Sequence, residues 1–299
     1  MMTPAIPEKL VKAITFLRGE EEGRAWLAAL PDRMIHHAHR WGLVLDSIAE
    51  GGAMSCCVFC TTGDGTQAVL KIPVDGPSGV SEMQQLERWA DSKAAPQILQ
   101  RANGSGVFLM SRILPGTTAW ATGGSDDSER FGDLLTRLTA PQLPAPPPLK
   151  DMAEIANMRL GWARDRFRSP AYNAFASLLR DAEVTLQDLL QTTPASHVLH
   201  ADLQAKNVII GPTHWYAIDP LGAIGDINAE AALWAAVQDG PTTTNERLDQ
   251  LSDHALLEPH RLHAWAFFFS VAELRLHLKP SADRIVDFLA HTDPGQLLR

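Results

Sequence analysis

The spacing of apolar residues changes character along the chain. "EKLVKAITFLRG" puts Leu10, Ile14 and Leu17 on one helical face, with Pro7 where a first turn tolerates it. "RAWLAALPDRMIHHAHRWGL" continues as helix, with an interruption or restart expected near Pro31. The pattern then turns to strands. "SCCVFCTTGDGTQAVLKIPV" reads as two β-rich runs around a Thr-Gly-Asp-Gly turn, a hairpin. "SEMQQLERWADS" is predicted helical, with Met83, Leu86 and Trp89 or Ala90 in register, and "GVFLMSRIL" is another strand, stopped by Pro115-Gly116. Helical spacing returns in "ERFGDLLTRLTA" and ends at the polyproline-like "PQLPAPPPLK". Residues 151 to 192 are predicted helical with a break near Ser169-Pro170. Two short strands follow, "NVIIG" and "WYAIDP", joined by a Gly-Pro turn, and helix is expected from Asp226 onward. The organisation is α+β: a small β-rich lobe with flanking helices over 1–114, a short connection near Ser111 to Gly116, and a larger helical lobe over 115–299.

Composition narrows the partners. The 299 residues are 45% apolar, enough for one large domain or two lobes, and the formal net charge is −9. An acidic surface repels phosphate backbones, so no nucleic-acid partner is expected; it suits solubility or a cationic ligand. The N-terminus becomes charged too early for a signal peptide, and "AWAFFFSVAEL" breaks at Glu273, short of a membrane span. Three cysteines without a targeting segment point to reduced thiols in a cytoplasm.

The chemistry concentrates in "VLHADLQAKNVIIGPTHWYAIDP". Asp202 and Asn207 flank a loop entering the first short strand, and Asp219 ends the second. Antiparallel strands joined by a tight turn bring their outer ends together, so Asn207 can approach Asp219. A carboxylate and an amide oxygen with no thiolate or imidazole nearby suit a hard cation such as Mg²⁺. Asp202 stays ionised near neutral pH and can take a proton from an attacking hydroxyl. Those are the parts of phosphoryl transfer.

A second cluster is expected in the β-rich lobe. Lys71, in "AVLKI", sits on an apolar strand, an expensive place for an ammonium without a partner. Glu82 on the following helix can supply that partner, with Glu87 its rival, and a strand lysine held by a helix glutamate is the kinase device for nucleotide phosphates. No Gly-x-x-x-x-Gly-Lys-Ser/Thr occurs, which excludes the P-loop class as a motif.

With those residues in place, the chain resembles the aminoglycoside/hydroxyurea phosphotransferases, which include the streptomycin 6-kinases, within the group of small-molecule kinases with a protein-kinase-like fold. The resemblance runs through "WLAALP", "RWGLVL", "GDGTQAVLKI", "SEMQQLERW", "GVFLMSRILPG", "LHADLQAKNVIIG" and "YAIDPLGAIGD". It implies a bilobal fold with a nucleotide-binding N-terminal lobe and a catalytic C-terminal lobe. It also implies Asp202 as catalytic base, Asn207 and Asp219 as metal ligands, and Lys71 with Glu82 on ATP. Met110, Ser111, Arg112 and Ile113 would form the hinge whose backbone meets adenine. The implied activity is ATP- and Mg²⁺-dependent phosphorylation of a hydroxyl on a small, cationic acceptor, such as streptomycin. The alternatives are a kinase of hydroxyurea or another small metabolite, or a catalytically dead nucleotide-binding module. Three positions depart from the family pattern: Ala201 replaces a glycine, Gln204 a histidine, and Lys206 a glycine. "EGGAMSCC" stands where a nucleotide-covering turn belongs.

Other candidates read two ways. "CCVFC" offers Cys57-x-x-Cys60, but strand positions three apart face opposite sides, so buried structural thiols are expected. The histidines of "HHAH", His36, His37 and His39, do not share one helical face and are expected on a solvated surface. Asp226 and Glu230 open a helix just after the site. They complement its dipole, brace the catalytic loop or bind a substrate cation. Trp234, Asp239, Glu246 and Asp249 are candidates for lining a cationic-substrate pocket.

Overall fold

A computed structural model describes residues 3–50, 54–121, 124–140, 149–279 and 281–297. The chain divides into two compact units, Met1–Ile113 and Leu114–Arg299. Gly51–Ala53 of the candidate nucleotide-covering turn and residues 141–148 of the proline-rich connection lie outside the described residues.

The first unit begins with helices α1 (Glu8–Arg18) and α2 (Glu20–Trp41). Leu10 and Ile14 are buried as their spacing demands, but Leu17, in the last turn of α1, is 49% exposed. α2 runs unbroken through Pro31, against the expected interruption. A mid-helix proline costs about 3 kcal/mol or more. Leu30 and Met34, fully buried on either side of it, anchor the helix to the core and override that local penalty. Strands β1 (Val44–Ile48), β2 (Ser55–Thr61) and β3 (Gln67–Pro73) precede α3 (Gly76–Ala90), and β4 (Ile98–Arg101) and β5 (Phe108–Ser111) follow it. They form one antiparallel sheet in the order β1-β2-β3-β5-β4. The β2–β3 hairpin is the predicted one; Asp64 accepts from the backbone N–H of Thr66, and Gly65 takes a φ of +87°. Cys56, Val58, Cys60, Ala68, Leu70 and Ile72 pack on α1 and α2. Lys71 alternates with Leu70 and Ile72 and so faces the other side of the sheet.

The second unit is mostly helical. A 3₁₀ turn at Ala119–Ala121 leads to α4 (Asp127–Thr139), β6 (Lys150–Asp151) and α5 (Met152–Phe167). The predicted break is a 3₁₀ segment, Pro170–Phe175, before α6 (Ala176–Gln191). Then come β7 (His197–Leu199), a 3₁₀ turn at Ala205–Asn207, β8 (Val208–Ile210), β9 (Trp215–Ala217) and β10 (Ala223–Gly225). Helices α7 (Ile227–Val237), α8 (Thr244–Ser252), α9 (Pro259–Glu273) and α10 (Ser281–Ala290) complete the unit. β8 and β9 make the expected hairpin, with Val208 opposite Ala217. β10 pairs parallel to β6 and antiparallel to β7, a small sheet that apolar spacing does not predict because its strands span only two or three residues. α9 packs against α5, α6, α7, α8 and α10, and Ala264 to Ala272 are all buried. The apolar run that falls short of a membrane span is therefore the centre of this core. Among the described residues no helix is long and apolar enough to cross a membrane.

Candidate active site

In the first unit, Lys71 Nζ meets Glu82 Oε1 at 2.5 Å, with both side chains buried. Glu87 pairs instead with Arg101 at 2.7 Å, so it is Glu82 that α3 turns toward the β3 lysine. At the end of β5, Ser111 N–H donates to Gln97 O and Arg112 N–H to Gln67 O. Those two donors of the candidate hinge are committed to the sheet and are not available to adenine. The Arg112 guanidinium lies 3.9 Å from the Phe59 ring centroid. Met110 is buried in β5, and Ile113 closes the unit.

In the second unit, the loop after β7 is held from beneath. Glu230, on α7, accepts the backbone N–H groups of His200 and Ala201, the latter at 2.9 Å. Ala201 adopts φ +66°, the left-handed region that a glycine occupies without strain. His200 is fully buried, and its Nε2 lies 2.8 Å from the Ile218 carbonyl. A carbonyl only accepts, so Nε2 carries the proton and Nδ1 is left to accept the Asp202 N–H at 3.3 Å. Burial lowers the His200 pKa and keeps the ring neutral, which that tautomer requires. The imidazole thus ties the start of the loop to the end of β9.

Asp202 takes donors on both oxygens. Oδ1 accepts from Arg159 Nη2 and Gln204 Nε2, each at 2.5 Å; Oδ2 accepts from Asn207 Nδ2 at 2.9 Å and pairs with Lys206 Nζ at 3.2 Å. Burial pushes the Asp202 carboxyl up, but Lys206 and Arg159 outweigh it and hold it below its ordinary value. The group is ionised at neutral pH. Asn207 also donates to the Asp202 carbonyl at 2.8 Å. Its amide nitrogen is thereby committed, leaving the amide oxygen as the atom able to face a cation. The Asn207 carbonyl accepts the Ile218 N–H at 2.9 Å, so the hairpin brings Asn207 beside the residue that precedes Asp219. Asp219 is exposed with φ +61°, a conformation aspartate tolerates better than most residues.

One amide oxygen and one exposed carboxylate fit a hard divalent cation that draws its remaining ligands from water and phosphates. Among the described residues no group of three or more His, Cys, Asp or Glu side chains could enclose a metal by itself.

Several expectations are corrected. Asp226, Glu230 and Trp234, candidates for the substrate, are buried in the unit's core. Asp226 caps α7 through the Asn228 N–H and binds Arg261 at 2.5 Å and Trp265 Nε1 at 2.7 Å. Glu230 braces the loop, one of the roles considered for it. Trp234 stacks on Phe131 with centroids 4.4 Å apart. Asp239 pairs with Arg284, and Glu246 closes a capping box with Thr243. In the "HHAH" run, His36 and His39 are exposed but His37 is buried beside Trp41, its pKa lowered to about 4 chiefly by burial. It lies seven residues after Leu30, on the same helical face. None of the three cysteines forms a disulfide, and Cys56 and Cys60 lie in the core.

Two charges at the site escaped sequence reasoning. Arg159 of α5 bridges Asp202 to Glu273, the last residue of α9, with 2.5 Å on each side. A signal for Arg159 was present: it follows Ile155 and precedes Ala163 at helical spacing, a cation on an apolar face.

The Ala201 conformation makes a prediction. Ala201→Gly should stabilise the protein by about 0.5–1 kcal/mol, relief of left-handed strain exceeding the entropy glycine loses on folding. Denaturant titration of the two proteins measures it, and a destabilised variant would contradict the strain.

The model of the family described as aminoglycoside/hydroxyurea antibiotic resistance kinase matches residues 40–274, a span holding every residue of both clusters. The chain belongs to this family. It is 30% identical over 274 residues to the streptomycin 6-kinase of Streptomyces griseus, covering 87% of this chain and 86% of that protein. It is 29% identical over 266 residues to the hydroxyurea phosphotransferase of Kitasatospora aureofaciens, covering 87% and 76%. Among solved structures, a thermostable mutant of the aminoglycoside phosphotransferase APH(4)-Ia, in a ternary complex with ADP and hygromycin B, superposes with a TM-score of 0.58 at 14% identity, covering 86% of this chain and 97% of that one. The fold is the α+β protein-kinase-like one, and this family member is a small-molecule kinase.

Proposed function

We propose that this kinase transfers the γ-phosphate of ATP, with Mg²⁺, to a hydroxyl of an aminoglycoside such as streptomycin. The observation that carries the reading is the ionised Asp202 carboxylate locked to Asn207 in a family member whose relatives include streptomycin 6-kinases. Residues 1–114 serve as the nucleotide-binding lobe and 115–299 as the catalytic and substrate lobe. Lys71, steadied by Glu82, supplies an ammonium for the α- and β-phosphates. Asn207 and Asp219 would hold the magnesium, which offsets phosphate charge when bound. Asp202 orients the acceptor hydroxyl and takes its proton as the new P–O bond forms and the bond to ADP breaks. A carboxylate offers about four acceptor sites, and four donors already use them, so the hydroxyl has to replace one. Lys206, whose side chain is 55% exposed, is the donor best able to leave. The net charge of −9 favours a cationic acceptor, and three cysteines outside any disulfide suit a reducing cytoplasm.

Magnesium-dependent transfer of labelled γ-phosphate to streptomycin tests the reading, and transfer to no hydroxyl acceptor would end it. Hydroxyurea is the second acceptor to try, because the hydroxyurea phosphotransferase relative matches nearly as well. Lys71→Met is expected to raise the KM for ATP by about tenfold or more, through loss of a charge-assisted phosphate contact. An unchanged KM would move the phosphate-binding role elsewhere.

A further inference from the structure

The Asp202 carboxylate carries one contact that its own loop does not supply. Arg159 arrives from α5, 43 residues earlier in the chain. Its Nη2 donates to Asp202 Oδ1 and reaches the Ala201 carbonyl at 3.5 Å, while Nη1 donates to Glu273 Oε1. Glu273 is itself held on Oε2 by Arg275 at 3.2 Å. The Arg159 and Glu273 side chains are almost wholly buried, at 4% and 8% exposure. Burying a carboxylate–guanidinium–carboxylate line adds little stability over apolar packing of the same volume. What such a line does supply is geometry: the planar guanidinium fixes two carboxylates at once.

We propose that Arg159, anchored by Glu273, is a positioning residue that selects Asp202 Oδ2 as the oxygen accepting the substrate's proton. The inference rests on reading Asp202 as the base. Arg159 and Gln204 occupy Oδ1 and set the carboxylate plane. Oδ2 is left to Asn207, which the loop fixes, and to exposed Lys206, which can yield its place. Without Arg159 the carboxylate keeps only the donors of its own loop, Gln204 on Oδ1 and Asn207 and Lys206 on Oδ2, and loses the planar contact from α5 that reserves Oδ2 for the hydroxyl. The effect belongs to the chemical step, since the guanidinium spends its donors on Asp202, the Ala201 carbonyl and Glu273.

The test compares wild-type protein, Arg159→Met, Arg159→Ala, Arg159→Lys and Glu273→Gln for kcat at saturating ATP and acceptor, for ATP affinity by calorimetry, and for thermal stability. Arg159→Met should lower kcat by about 100-fold, the scale set by misplacing a catalytic group by an ångström, with ATP affinity within about twofold. Arg159→Lys should recover part of that loss, because one ammonium can reach Asp202 without the fork. Millimolar guanidinium should raise the kcat of Arg159→Ala and leave wild type unchanged. A folded Arg159→Met with wild-type kcat overturns the proposal, as does a kcat that falls only with the folded fraction. If Arg159→Met does not fold, Glu273→Gln and Arg159→Lys decide: wild-type kcat in both would overturn it. A wild-type protein with no transferase activity, or an Asp202→Asn variant that keeps it, would instead overturn the reading of the base.

Discussion

Asp202→Asn is expected to lower kcat by about 10³-fold while leaving ATP affinity nearly intact, the middle of the range for losing a general base. Asparagine preserves the side chain's size and one acceptor, so packing is little changed. It cannot take the hydroxyl proton, and it removes the charge opposite Arg159 and Lys206. Single-turnover phosphate transfer, with nucleotide binding followed separately, reads the two effects apart. Retention of more than about a tenth of the turnover would place the base elsewhere. The pH dependence has a definite sign. The Asp202 pKa is held below its ordinary 3.8, so its pairing stabilises the fold above that value and is lost as pH falls through the lower folded-state value. Ionisation of Asp202 therefore does not limit activity between pH 5 and 7.

Glu230→Ala should be the most damaging change away from the reacting atoms. Glu230 is buried and accepts two backbone donors, at His200 and Ala201, that have no route to water. Each orphaned donor costs about 1–3 kcal/mol, so a total loss of about 2–6 kcal/mol is expected. The left-handed Ala201 also loses its clamp, and turnover should fall with stability. Burial pushes the Glu230 carboxyl up to about 7, against the two backbone donors that lower it. A carboxyl raised on folding binds its proton more tightly in the folded chain. Its contribution to stability is full below the ordinary value of 4.5 and is lost as pH rises through about 7. Glu230→Gln should accordingly remove a decline in stability between about pH 5 and 7, which chemical denaturation across that range would reveal. A Glu230→Ala protein as stable as wild type would show that the loop does not depend on this brace.

The elements that were legible in the sequence share a property: their partners lie close in the chain. The β2–β3 and β8–β9 hairpins are read from alternation and turn residues. Lys71 and Glu82 are read from one strand and the helix that follows it. Arg159 and Glu273 meet across 114 residues, and neither local propensity nor spacing names a partner at that range. Burial misled in a related way. For Glu230 the sequence leaves a dipole charge, a loop brace and a substrate contact open, yet α7 is apolar on every side, so its single acid has to be inside and has to be held. The histidine neighbours of His37 point to solvent, whereas the Leu30–Met34–Ala38 face it shares points to the core. Pro31 shows the opposite error, a local rule applied where packing prevails.

The β8–β9 hairpin has a further consequence for how this family can vary. Its ladder carries on past Val208 and Ala217 to the Asn207 carbonyl and the Ile218 N–H, one residue before Asp219, at the open end, while Gly211 and His214 close the other end. Because side chains alternate across a strand, one residue inserted within either strand would turn the outer residues to the opposite face. The tip between 211 and 214 carries no such constraint. Length changes among natural variants should therefore gather at the tip, and an engineered peptide tag placed there should leave the open end in its native pairing.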